Sequence, residues 1–70
     1  MRRTTDNELR NLRRAYGMTQ QELADVAGIS RGAVSHIERG RRKPTLDVLR
    51  VLAMSLECTP LDICPWLAER

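Results

Sequence analysis

The tightest constraint in this sequence is the run from Thr19 to Gly40, where the stop of one helix and the cap of the next are separated by a single residue. Thr19 with Glu22 three positions on forms a capping box, Gly28 supplies a left-handed stop, Ser30 is ready to cap again, and only Ile29 lies between. Two helices joined so closely have to cross steeply. The crossing asks for a small residue at the point of touch, a residue that tolerates a positive backbone angle in the turn, and an apolar plug for the corner. Ala24, Gly28 and Ile29 meet these needs in order, and Val34 and Ile37 are spaced to hold the second helix of the pair to a core.

The same punctuation recurs on either side. Thr5 with Glu8 fits another capping box, Asp6 and Glu8 suit the positive end of a helix dipole, Arg13 and Arg14 its negative end, and Gly17 the stop. These signals predict a first helix from about Asp6 to Tyr16. Thr45 after Pro44 opens a fourth helix running to about Leu56, and Thr59 with Pro60 starts a fifth. Pro65 has no amide to give Leu61, so this last helix has to break, kink or restart there.

Apolar residues follow helical spacing throughout: Leu9, Leu12 and Tyr16, then Leu23, Ala24 and Ala27, then Val34 and Ile37, then Leu46, Leu49, Leu52, Ala53 and Leu56. Val48, Val51 and Met54 make the fourth helix apolar around much of its girth, which predicts burial by more than one neighbour. Nothing alternates with period two. The expected fold is all-α, a compact five-helix domain spanning residues 1–70, with the paired helices at about 19–39. At 70 residues a single core is thermodynamically marginal, so a partner chain would add stability.

Several function classes drop out. No apolar stretch approaches the roughly 20 residues of a membrane span, and the N-terminus leads into charge rather than a signal peptide, so a cytoplasmic location is expected. Cys58 and Cys64 lack the Cys-x-x-Cys spacing of a redox or zinc motif and read as reduced structural thiols. His36 is the only histidine, which leaves neither a metal set nor a Ser-His-Asp set, and there is no glycine-rich phosphate loop. Neither a cofactor nor catalysis is expected. The formal net charge of +3 is modest, but its distribution is uneven: Arg31, Arg39, Arg41, Arg42 and Lys43 crowd one stretch in which Glu38 is the only acid.

Gly17-Met18-Thr19-Gln20-Gln21-Glu22-Leu23-Ala24, then Gly28-Ile29-Ser30-Arg31, Val34-Ser35-His36-Ile37-Glu38-Arg39-Gly40 and Pro44-Thr45-Leu46, resemble the Cro and phage-repressor helix-turn-helix family across about fifty positions. The resemblance implies a lambda-repressor-like five-helix domain whose third helix lies in the major groove of duplex DNA. It places Arg31, Gly32, Ala33, Ser35 and His36 against the bases. Arg31 has the fork for guanine O6 and N7, His36 a donor, Ala33 a methyl for thymine, and Gly32 room for close approach. By the same likeness Gln20 holds a phosphate at the start of the second helix, with Arg39, Arg41, Arg42 and Lys43 as further backbone contacts. Arg13 and Glu38 stand where similar domains carry an internal ion pair.

The family's C-terminal region implies a homodimer, for which the segment 58–70 offers Leu61, Ile63, Trp66 and Leu67. Pro65 and the two cysteines depart from the family pattern and bear on that geometry. The function expected is that of a transcriptional regulator, a repressor in the first instance, reading an inverted-repeat operator as a homodimer. The alternative is a protein-interaction module of the same fold, of the antitoxin or coactivator kind, with DNA contact secondary. No sensor domain is visible in the sequence, so ligand control would act through the dimer interface or a separate regulatory protein.

Overall fold

The computed structural model describes residues 7–68, the side chains of Trp66 and Ala68 apart. Five α-helices follow one another: α1 Leu9–Tyr16, α2 Gln20–Ala27, α3 Arg31–Glu38, α4 Leu46–Ser55 and α5 Pro60–Ile63, with a single 3-10 turn over Pro65–Ala68. Among the described residues there is no strand. Pro65 does what its missing amide dictates: α5 lasts one turn and the chain restarts as the tighter helix.

Hydroxyl caps begin four of the helices. Thr19, Ser30, Thr45 and Thr59 each accept a hydrogen bond from the amide three residues on, and at Thr19 and Thr59 the reciprocal bond from the threonine amide to the Glu22 or Asp62 carboxylate completes a capping box. Thr19→Ala is expected to cost about 1 kcal/mol, read as a fall of several degrees in the thermal midpoint, because the Glu22 amide in the first turn of α2 loses its side-chain acceptor.

α1 begins differently from the expectation. It starts at Leu9 rather than near Asp6, and Glu8, at the cap position, makes no side-chain cap bond. Asn7 Oδ1 takes the Leu9 amide at 3.0 Å instead, while the Glu8 carboxylate accepts from Asn11 Nδ2. An asparagine two residues before the amide offers the shorter reach. Thr5 and Asp6, which carry the other half of the expected box, lie outside the described residues.

Three helix ends share one device. At Gly17 and Gly40 paired amide bonds fold back on the last turn: Gly17 to Arg14 with Met18 to Arg13, and Gly40 to Ile37 with Arg41 to His36. α4 closes the same way, with Glu57 to Met54 and Cys58 to Ala53, but the residue in the left-handed position is Glu57, at φ 53°. A left-handed non-glycine is uncommon. Its carboxylate accepts the Tyr16 hydroxyl, tying the end of α1 to this turn, and that hydrogen bond with the nearby charge raises the Tyr16 phenol above its ordinary range.

The core is Leu9, Leu23, Ala24, Val34, Ile37, Leu49, Leu52, Ala53, Leu56, Ile63 and Cys64. α2 packs on both α3 and α4, and α4 on α5, so α4 is covered by two neighbours as its apolar girth predicts. The cover is incomplete: Leu46 and Met54 remain exposed, and Met54 with Val26, Ala27, Val51 and Ser55 lines an apolar hollow between α2 and α4. Tyr16 too is exposed, its ring spent on the Glu57 contact instead of the core. Burial holds both thiols above their ordinary range, at Cys58 aided by Asp62 and at Cys64 partly opposed by Lys43, and no disulfide joins them. Ile63, expected at a dimer surface, is fully enclosed within its own chain and its carbonyl accepts the Glu8 amide at 2.8 Å. It closes the gap between α1 and α5, so it presents no surface to a partner.

Candidate nucleic-acid interface

The corner between α2 and α3 is built as its residues require. Gly28 turns at φ 74°, the Ile29 amide returns to the Ala24 carbonyl at 3.0 Å, and Ser30 Oγ accepts the Ala33 amide at 3.1 Å. A side chain at residue 28 would meet open space, so the backbone angle alone is what favours glycine. Ala24 is fully buried where the helices meet, and Ile29 sits half-buried over the join.

At ~3.6 residues per turn, Val34 and Ile37 share one side of α3, and both are sealed in the core. The opposite side belongs to Gly32, Ser35, His36 and the cap residue Arg39, with Arg31 beside them. Arg31, Gly32 and His36 are exposed, whereas Ala33 and Ser35 are half-buried at the flanks. All five expected base-facing residues therefore lie on α3 outside its core stripe, and three of them are exposed. Arg39, Arg41 and Arg42 follow, exposed, as does Lys43, in the loop that leaves the Gly40 turn. That loop begins from a fixed point, because the Gly40 and Arg41 amides are bonded to α3.

Behind this face lies an ion-pair hub. Glu38, whose side chain is fully enclosed, accepts Arg13 Nε on Oε2 at 2.6 Å and Arg13 Nη2 on Oε1 at 3.2 Å. Arg13 Nη1 donates to the Met18 carbonyl at 2.8 Å, so the guanidinium also pins the α1–α2 turn. Burial alone would raise the Glu38 carboxyl, but the Arg13 hydrogen bonds, then Gln20 and the Arg13 charge, outweigh it and hold the group below the usual carboxylate range. The expected Arg13–Glu38 pair is thus present.

Two participants were not legible. Gln20 donates Nε2 to Glu38 Oε1 at 3.1 Å, so its amide is engaged internally rather than wholly free for a phosphate. Arg10 reaches the same oxygen with Nε at 3.4 Å. Helical spacing in α1 does put Arg10 one turn before Arg13 and Arg14, which was the available signal, but only the packing of α1 on α3 shows which of them meets Glu38.

At the C-terminal end, Leu61 is exposed and Leu67 is partly buried against the core. The Trp66 side chain lies outside the described residues. Among the described residues no group of His, Cys, Asp and Glu could hold a metal ion, and no helix is long and apolar enough to cross a membrane.

Comparison with known proteins matches residues 9–63 to the helix-turn-helix family model. The transcriptional regulator ClgR of Mycobacterium tuberculosis is 35% identical over 63 residues, 90% of this chain, which spans about half (55%) of ClgR's own length. Among solved structures, the restriction-modification controller protein C.AhdI of Aeromonas hydrophila superposes with a TM-score of 0.76 at 38% identity, covering 79% of this chain and 83% of that one. The P22 c2 repressor, solved in complex with a synthetic operator, gives a TM-score of 0.76 at 26% identity over 87% of this chain and 91% of that one. The five-helix, all-α architecture is that of these repressor-like proteins.

Proposed function

This chain belongs to the helix-turn-helix family, of the Cro/C1 type, and from that premise we propose that it regulates transcription by binding a specific duplex operator as a homodimer. The observation that carries the reading is the division of labour on α3: its apolar residues, Val34 and Ile37, are spent inward, and its outward face offers Arg31, Gly32 and His36 followed by a basic loop. A helix used to grip a protein would turn an apolar patch outward, and α3 has none.

In this reading two copies of α3 enter successive major grooves about 34 Å apart on an inverted repeat. Arg31, Ser35, His36 and Ala33 meet base edges, and Gly32 lets the helix approach closely. Gln20 through its free backbone amide, with Arg39, Arg41, Arg42 and Lys43, grips phosphates. The regulator works in the cytoplasm, performs no catalysis, and represses by occluding polymerase. Dimerisation draws on the exposed Leu61 and on Leu67 and Trp66 of the C-terminal segment.

Selection from a random duplex library, with sedimentation of the free protein, tests the proposal. An enriched inverted repeat bound by a dimer supports it. Salt-sensitive binding with no enriched sequence overturns it in favour of a protein-interaction module. On the selected operator Arg31→Ala is expected to cost ~1–3 kcal/mol and to relax the preference at one base pair, while Arg41→Ala weakens all duplexes alike. Equal losses on operator and random DNA for Arg31→Ala would show that Arg31 does not read a base.

A further inference from the structure

We propose that Arg10 is a phosphate clamp of the DNA interface, supplied by α1 from outside the helix-turn-helix, and that Glu38 is the positioning residue that aims it. The inference rests on the reading above that the chain binds duplex DNA.

Arg13 and Arg10 share one carboxylate but use it differently. All three guanidinium nitrogens of Arg13 are occupied, two by Glu38 and one by the Met18 carbonyl, and its side chain is 10% exposed. Arg10 commits Nε alone, at 3.4 Å, and its side chain is 48% exposed. Its two terminal nitrogens have no partner among the described residues, which leaves four of the five N–H donors of a guanidinium unused. Oε1 of Glu38 already accepts from Arg13 and Gln20, so the third, longest bond orients Arg10 more than it holds the fold. One buried carboxylate faces two guanidiniums. The cluster therefore carries one unit of positive charge in excess, and that charge sits on the exposed member.

The location completes the case. Gln20, which shares Oε1 with Arg10, is the first residue of α2, where backbone amides have no partner within the helix and the dipole favours an anion. A planar guanidinium fork and backbone amides brought to one corner are the donors that a phosphate's oxygens accept. Glu38 ends α3, so the same carboxylate fixes the Arg10 fork and the Gln20 amide relative to the base-facing helix. A phosphate docked in this corner would be gripped from α1 and α2 at once, in register with what α3 reads.

The test titrates a labelled random-sequence duplex with wild type, Arg10→Ala and Arg10→Lys at a series of salt concentrations, below the melting point of every variant. The expected result for Arg10→Ala is a log–log salt slope smaller by about 0.9 for each bound protomer, severalfold weaker binding at low salt, and a thermal midpoint within a few degrees of wild type. Arg10→Lys keeps the charge and the slope. A wild-type slope in Arg10→Ala overturns the clamp, whether or not the midpoint falls, and leaves the DNA reading intact. A wild type whose duplex binding does not depend on salt overturns both.

Discussion

Glu38→Ala is expected to lower the thermal midpoint by tens of degrees. The substitution removes the only carboxylate among the described residues that is paired with Arg13, and Arg13 is too enclosed to find water in exchange. Leaving one member of a buried pair without its partner costs roughly 3–5 kcal/mol, a large share of the ~5–15 kcal/mol that holds a domain folded. For a chain of this size each kcal/mol moves the midpoint by about 4–8 °C. Glu38→Gln should be milder, since an amide oxygen still accepts from one of the three donors. The pair also sets a pH dependence with a definite sign. A carboxyl whose folded pKa is depressed stabilises the protein above its unfolded pKa of about 4.3, and that stability is lost as pH falls through the folded value. Thermal melts from neutral to acid pH should thus show a fall in midpoint below about pH 4 that is flatter in Glu38→Gln. An equally steep fall in both proteins would show that other carboxylates govern the acid limit.

Ile63→Ala should come next in size, at about 2–5 kcal/mol. Ile63 is fully enclosed by its own chain and lies where the backbone of α5 meets that of α1. Its truncation opens a cavity that the surrounding helices can fill only in part. The loss should be independent of protein concentration, because it comes from the fold of one chain. Leu61→Ala is the contrast: Leu61 is exposed, so the fold should survive, and any effect should appear as weaker self-association in sedimentation. A dimer that dissociates in Ile63→Ala while each chain melts as before would return Ile63 to the interface.

These two residues also mark how far the sequence could be read. The starts of α2, α3, α4 and α5 were legible because Thr19, Ser30, Thr45 and Thr59 act within three residues of themselves. The α2–α3 corner was legible for the same reason. The start of α1 was misjudged since two local solutions competed, and Asn7 rather than Thr5 and Glu8 supplies the bond seen at Leu9. Tertiary assignments fared less evenly. An apolar residue in a short C-terminal helix reads alike whether it faces the core or a partner, and only the seating of α5 on α4 separates Ile63 from Leu61. Tyr16 carries the spacing of a core residue, yet its hydroxyl is drawn to Glu57, 41 residues away. The Arg13–Glu38 pair was suggested by likeness to a family, but the engagement of Gln20 and Arg10 depends on side-chain reach across three helices, to which no local pattern refers.

The burial of Cys64 makes the fold its own clock. Its thiol has no contact with solvent and burial raises its pKa, so a thiol reagent can reach it only when the packing around the end of α5 opens. The labelling rate at this one sulfur therefore counts openings of the C-terminal turn. With Cys58, six residues earlier and only partly covered, as the fast reference in the same molecule, the ratio of the two rates separates local opening from reagent chemistry without any residue being substituted.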